Sequence, residues 1–178
     1  GTSLPPEKLL RAAARHTDFD KVIVDEQAGT VYFADPEIRL DLGAVAKGYA
    51  VEIVSDWLLT TALTSYIISA GGNVRCGEKP LDGRARWGVS IQNPDDAGSA
   101  LSADEGYLDV LYLTNASVVT SGDYQRYYTV DGVNYHHIID PATLYPARYM
   151  RAVTIVTEDS GLADFLSTAV LLMPYEAG

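Results

Sequence analysis

Residues 42–58 constrain the fold more than any other stretch. Leu42, Val45, Ala46, Tyr49, Ala50, Ile53, Val54, Trp57 and Leu58 recur at the three- and four-residue spacing of a single helical stripe. That spacing predicts a helix from about Gly43 to Thr60, whose apolar face needs a second layer to cover it. The surrounding segments read as strands instead. KVIVDE (21–26) and TVYFAD (30–35), separated by QAG, read as a hairpin. SYIISA (65–70), RWGVSIQNP (86–94), YLDVLYLT (107–114), SVVTSGDY (117–124), NYHHIID (134–140) and AVTIVTEDS (152–160) read as further strands. Helical spacing returns in GLADFLSTAVLLM (161–173), through Leu162, Phe165, Leu166, Ala169, Val170 and Met173. A shorter helix, PPEKLLRAAARH (5–16), opens on proline, which suits a first helical turn. The expectation is an α+β fold: a mixed, largely antiparallel sheet with two long helices packed on it. No repeat, linker or low-complexity tract divides residues 1–178, so a single domain is expected.

Charge narrows the possible partners. The formal net charge of −11 repels a phosphate backbone, which argues against general nucleic-acid binding. An anionic ligand would need a metal ion, a helix N-terminus or a few placed cations. Cys76 is the single cysteine, so neither an intrachain disulfide nor a cysteine-based zinc site can form. No stretch approaches the roughly 20 apolar residues that span a bilayer. The opening GTSLPPEKLL lacks an initiating Met, and LLMPYEAG stops just after a helix, as expected for a piece of a longer protein.

Four stretches carry polar residues where a simple core would not choose them. In LDLGAVAKGYAVE (40–52), Asp41 and Lys47 read either as a helix cap and a snorkelling lysine or as a loop-to-helix anion site. The spacing is not that of a P-loop. In ISAGGNVRCGE (68–78), Gly71-Gly72 is either a turn or bare backbone against which a flat ligand could lie. In VVTSGDYQRYYTVDGVNYHHIIDP (118–141), a hydroxyl-rich loop with Thr120 and Ser121 ends one strand and His136-His137 ends its expected partner. Side chains alternate along a strand, so only one of the two histidines can face a common site. In ADFLST (163–168), Asp164 and Thr168 share a helical face and offer hard oxygen ligands suited to Mg²⁺ rather than zinc. Alternatively, they are a first-turn acid and a threonine bonded back to its own helix.

Taken in order, DLGAVAKGYAVE, SAGGNV, TSGDYQRYY followed by HHIIDPATLYP, and ADFLSTAVLLM resemble the FAD:protein FMN transferases, the ApbE flavin transferase family. The resemblance covers nearly the whole chain from about residue 5 and implies an ApbE-like fold. It also implies a Mg²⁺-dependent enzyme that moves the FMN half of FAD onto a threonine hydroxyl of an acceptor flavoprotein, releasing AMP. On this resemblance Asp41 and Lys47 contact FAD, and Gly71, Gly72, Thr120, Ser121 and Ile139 complete the FAD-binding set. The backbone carbonyl of Ala44 and the side chains of Asp164 and Thr168 are the implied Mg²⁺ ligands. His137 is the implied catalytic base, since an imidazole with pKa near 6.5 suits proton abstraction from a threonine hydroxyl. His136 falls where the family pattern is loose; it is expected to face away and to tolerate replacement.

One departure from the family is Leu144 in DPATLYP, where a glycine is usual. Family members are also considerably longer. Two alternatives share the site: FAD hydrolysis to FMN and AMP, and flavin binding without turnover. Many relatives are exported lipoproteins, so an extracytoplasmic location is expected, with any membrane attachment through a lipid anchor outside this chain.

Overall fold

The computed structural model describes residues 3–95 and 106–178. Its centre is a four-stranded antiparallel sheet in the order β12-β7-β4-β3, formed by Ala152–Thr157, Ala116–Gly122, Asn73–Cys76 and Ile67–Ser69. β7 pairs with β12 along six positions, from Ala152↔Gly122 to Thr157↔Ser117, and with β4 on its other edge. Four two-stranded ribbons surround the sheet. They are β1–β2 (Val22–Asp25, Thr30–Phe33), β5–β6 (Trp87–Gln92, Tyr107–Leu113), β8–β9 (Tyr127–Val130, Val133–His136) and β10–β11 (Ile139–Asp140, Tyr145–Pro146). Every pairing among the described residues is antiparallel. The expected strand at 134–140 is divided: β9 ends at His136 and β10 begins at Ile139.

Three α-helices occur among the described residues, α1 (Glu7–Ala13), α2 (Ala46–Leu59) and α3 (Ser160–Leu171), with two 3₁₀ turns at Ala14–His16 and Phe19–Lys21. α3 packs on β7 and β12 and against α2. Strand alternation gives β7 two different faces. Val118 joins Cys76 and Val89 in one apolar cluster, beneath Trp87, Ile91, Leu111 and Leu113 of the β5–β6 ribbon. Ser121 faces the other way, and its hydroxyl meets Ser167 on α3. Burial pushes the Cys76 thiol up to about 11, so it behaves as a small apolar core residue. Among the described residues no helix is long and apolar enough to cross a membrane.

The helices bury the faces that the apolar stripes did not mark. On α2 the buried residues are Gly48, Val51 and Ser55, while Tyr49, Ile53, Val54 and Trp57 are exposed. On α3 they are Ser160, Ala163, Asp164, Ser167 and Leu171, while Leu162 and Phe165 are exposed. The reason lies in size and hydrogen bonding. Gly48 has no side chain, so α2 can rest directly on the first turns of α3. A Cβ at Gly48 would collide with the Ser160 carbonyl and lie 2.5 Å from the Asp164 Cβ. Side chains then bond across the seam. The Ser160 N–H donates to Glu52 at 2.7 Å, the Ser160 hydroxyl donates to Asn73 at 2.8 Å, and Arg75 donates to the Ser55 hydroxyl at 3.2 Å. Most buried polar groups are paired in this way; the Asn73 Nδ2, Ser117 Oγ and Asp123 Oδ1 atoms are buried without a hydrogen-bond partner among the described residues.

Gly48→Ala tests the seam. Alanine gains about 1 kcal/mol in helix propensity, but overpacking against backbone typically costs about 1–3 kcal/mol. Because the obstructing atoms belong to the backbone of α3, we expect overpacking to win. Urea unfolding should show a lower midpoint at an unchanged slope.

Candidate functional site

The site begins in the loop before α2. Asp41 turns its carboxylate back onto the Gly43 N–H at 2.7 Å, so it shapes the loop rather than capping the helix. Val45 occupies the N-cap and offers no side-chain bond. The N–H groups of Val45 and Ala46 both donate to the Leu42 carbonyl, at 3.0 and 2.8 Å. The Gly48 N–H would ordinarily donate to the carbonyl four residues back, that of Ala44. It donates instead to Asp164 Oδ2 on α3, at 2.8 Å. Among the described residues no backbone N–H takes its place at the Ala44 carbonyl.

Asp164 is 4% exposed, and α3 holds it there. The helix is capped by Asp159, which accepts the Leu162 N–H at 2.8 Å. The second carboxylate oxygen of Asp164, Oδ1, lies 4.0 Å from Lys47 Nζ. Lys47 in turn donates to the Gly71 carbonyl at 3.0 Å, which ties α2 to the turn after β3. Gly71 and Gly72 both have positive φ, 47° and 69°, a backbone region open mainly to glycine. The Thr120 N–H then donates to the Gly72 carbonyl at 2.7 Å.

Three hydroxyls gather one turn further along α3. Ser121 Oγ lies 2.8 Å from Ser167 Oγ and 3.3 Å from Thr168 Oγ1. Ser167 and Thr168 both reach the Asp164 carbonyl, at 2.9 and 3.5 Å. Thus Lys47, Gly71, Ser121, Asp164 and Thr168 form one continuous group. Thr120 stands apart from it, bonded at 2.9 Å to Thr154, its registered partner across β7 and β12. Asp41, confined to its own turn, makes no hydrogen bond or ion pair to the group among the described residues.

The oxygen donors suit a hard cation. Among the described residues no three His, Cys, Asp or Glu side chains cluster as a metal site, hard or soft. What the fold offers instead is the unpartnered Ala44 carbonyl, the Asp164 carboxylate and the Thr168 hydroxyl, the oxygen types that Mg²⁺ and Ca²⁺ accept. The freed carbonyl is the best sign of fit, because a regular helix start would have consumed it.

The histidines diverge as strand alternation demands. From 136 to 140, His136, Ile138 and Asp140 are buried, while His137 and Ile139 are exposed and share a face. His137 Nδ1 lies 3.2 Å from the Arg126 carbonyl. A carbonyl only accepts, so Nδ1 carries the proton and Nε2 keeps its lone pair. Partial burial of the ring lowers the His137 pKa, outweighing the opposite pull of the Arg126 carbonyl. Among the described residues no hydrogen bond joins His137 to the Lys47–Asp164 group; Gln125, the residue before Arg126, has its amide 3.9 Å from where a Cβ on Gly72 would be.

His136 requires a correction. It does face away from His137, but it faces into the protein and is 7% exposed. Its Nε2 donates to the Ala147 carbonyl at 2.7 Å, and its Nδ1 accepts the Ile138 N–H at 3.3 Å. A buried ring with both nitrogens occupied is not freely replaceable. Pattern reading also passed over Ser121 as a neighbour of Thr168, and over Gly48. A glycine inside an apolar helical run was the available signal for the latter.

Comparison with known proteins follows the same lines. The model of the ApbE family matches residues 1–178. The "FAD:protein FMN transferase" of Klebsiella pneumoniae is 34% identical over 180 residues, covering 100% of this chain and 52% of its own. The crystal structure of the ApbE protein from Thermotoga maritima superposes with a TM-score of 0.83 at 37% identity, covering 96% of this chain and 52% of that one. The flavin transferase ApbE from Vibrio cholerae gives a TM-score of 0.81 at 29% identity, covering 99% and 53%. The chain therefore spans about half the length of the relatives it matches.

At Leu144 the backbone keeps the shape a glycine would give. Its φ is +62°, and its N–H donates to the Asp140 carbonyl at 2.8 Å. A non-glycine residue in this region costs roughly 1–2 kcal/mol, whereas glycine costs roughly 0.5–1 kcal/mol in chain entropy. Leu144→Gly should therefore be neutral or stabilising by up to about 1 kcal/mol. Calorimetry would show an unchanged or higher Tm, while Leu144→Val, β-branched, should lower it.

Proposed function

The chain belongs to the ApbE family along its whole length, and from that premise we propose that it carries out Mg²⁺-dependent transfer of FMN from FAD to a threonine hydroxyl of an acceptor protein. The observation that best supports this reading is the diversion of the Gly48 N–H to Asp164. It leaves the Ala44 carbonyl without a partner on α2 while drawing in Asp164, which carries the Thr168 hydroxyl on the next turn of its helix.

Ala44, Asp164 and Thr168 would hold the Mg²⁺. When bound, the ion supplies charge neutralisation at the pyrophosphate oxygens. Lys47 adds a fixed positive charge at the same position, beside the Gly71 carbonyl. Gly71 and Gly72 present backbone without side chains, so a flat or anionic group can approach closely. His137, with Nδ1–H engaged by Arg126, offers Nε2 to the incoming threonine hydroxyl. The threonine oxygen bonds to the phosphorus of the FMN half, and its proton passes to Nε2. The bond between that phosphorus and the bridging oxygen breaks, and AMP leaves with the bridging oxygen and its electron pair. Ile139 shares the His137 face and gives the nucleotide an apolar contact beside the base.

The reading is tested by incubating the protein with FAD and Mg²⁺, with and without a threonine-bearing acceptor peptide. FMN on the peptide and AMP are measured together. AMP formed equally without peptide would identify hydrolysis instead, and no AMP under either condition would remove the catalytic reading. Chelation by EDTA should abolish turnover, as should Asp164→Ala.

A pH profile addresses the base. The neutral form of His137 is the active one, and its pKa lies below the ordinary 6.5. The rate should therefore be level near neutrality and fall only as pH drops through that lowered value. His137→Ala should reduce transfer by about 10²–10⁴-fold, the usual contribution of a general base, and should remove the acidic limb. An acidic limb that survives in this variant would exclude His137 as its source.

A further inference from the structure

His137 sits at a junction between two separate ladders. On one side, the β8–β9 ribbon ends with Tyr127 paired to His136, and the adjoining Arg126 carbonyl receives the His137 ring. On the other, the Ala147 N–H donates to the Ile138 carbonyl at 3.0 Å, and Ile139 pairs with Pro146 to begin β10–β11. Among the described residues neither 137 nor 138 belongs to β9 or β10, and the Ala147–Ile138 bond is the one backbone bond that extends the second ribbon toward them. Residues 137 and 138 therefore join one ribbon to the other.

The His136 side chain spans that junction. Its ring belongs to the last residue of β9, yet both nitrogens bond beyond it: Nε2 to the carbonyl of Ala147, the residue after β11, at 2.7 Å, and Nδ1 to the N–H of Ile138, the residue before β10, at 3.3 Å. Its partners are themselves buried, Ala147 at 3% and Ile138 at 8% exposure, within a cluster that includes Val153 of β12 and Leu171 of α3. We propose that His136 is a positioning residue: it locks the two ladders at one angle and thereby holds the neighbouring His137 ring on the Arg126 carbonyl. The idea rests on His137 being the base of the proposed transfer, with which His136 has no direct chemical part. Both rings are needed for different reasons, one as a proton acceptor and one as a cross-link.

The geometry implies a particular signature. With His136 in place, His137 is held as the Nδ1–H tautomer, whereas a released ring drifts toward the mixture of a free imidazole. The chain has three histidines, so their ring ¹⁵N signals can be assigned by substitution. Wild type should show His137 protonated at Nδ1 above its pKa. In His136→Ala, the His137 ring should shift toward Nε2 protonation. FMN transfer should fall about 10–100-fold in kcat, as expected when a catalytic group is displaced by about an ångström, with little change in KM for FAD. His136→Gln keeps a donor near the position of Nε2 and should recover much of both.

A merely structural role would lower the Tm of His136→Ala while leaving the His137 tautomer and kcat at their wild-type values, and that result would overturn the proposal. If His136→Ala does not fold, His136→Asn replaces it, since it keeps an acceptor near Ile138 but cannot span to Ala147. An unchanged tautomer in that variant also overturns the proposal. If wild type transfers no FMN but the His137 tautomer still follows the residue at 136, the positioning role stands and the transferase reading fails.

Discussion

One hydrogen bond organises the site: the Gly48 N–H to the Asp164 carboxylate, 2.8 Å across the contact between α2 and α3. It requires a residue on α2 without a side chain, because anything larger would meet the Ser160 carbonyl. It requires a buried carboxylate on α3, which would be costly without compensating donors. The same bond leaves the Ala44 carbonyl free and sets Asp164 beside Lys47. Packing, electrostatics and the proposed cation site are thus consequences of a single close approach of two helices.

That approach also accounts for the polarity of the seam. Two helices that touch through Gly48, Glu52, Ser160 and Asp164 gain little from apolar burial, at about 25 cal/mol per Å². Between them the Glu52 carboxylate accepts the Ser160 N–H, while Asn73 of β4 accepts the Ser160 hydroxyl and ties the same turn to the sheet. The conventional apolar core lies elsewhere, around Leu171 and Val153 on one side and Cys76 and Val118 on the other. Stability and site geometry are therefore partly separated: the apolar clusters hold the sheet, while the polar seam arranges the atoms of the proposed cation site.

The histidine pair shows the same division at smaller scale. Period-two alternation sends His136 inward and His137 outward, and two short ladders, rather than one continuous strand, meet between them. The inward ring is used up in hydrogen bonds, while the outward ring keeps one free nitrogen. Leu144, three residues after the Asp140-Pro141 turn signal, holds a left-handed backbone without the glycine that usually supplies it. The Asp140 carbonyl and side chain, which accept the N–H groups of Leu144 and Ala142 at 2.8 Å each, stabilise that turn.

Much of this was legible in the chain. Periodicity found α2, α3 and most strands to within a few residues, because the patterns that form these elements are local. Residue chemistry left each polar stretch open to a structural reading, and strand alternation allowed only one of the two histidines to face a common site; the roles came from the family resemblance. The sequence could not say that the apolar stripes of α2 and α3 would be their exposed faces. Hydrophobic spacing assumes that burial follows apolarity, and here a glycine and a hydrogen-bonded aspartate set the contact instead. Nor could it tell that Ser121 would join Thr168 while Thr120 turned to Thr154, since that depends on the β7–β12 register and on which face α3 covers. The sequence by itself determined the elements and the kinds of atoms available to the site. Only the tertiary structure decided which of those atoms meet, because a contact between residues 48 and 164 depends on helix packing that no local pattern encodes.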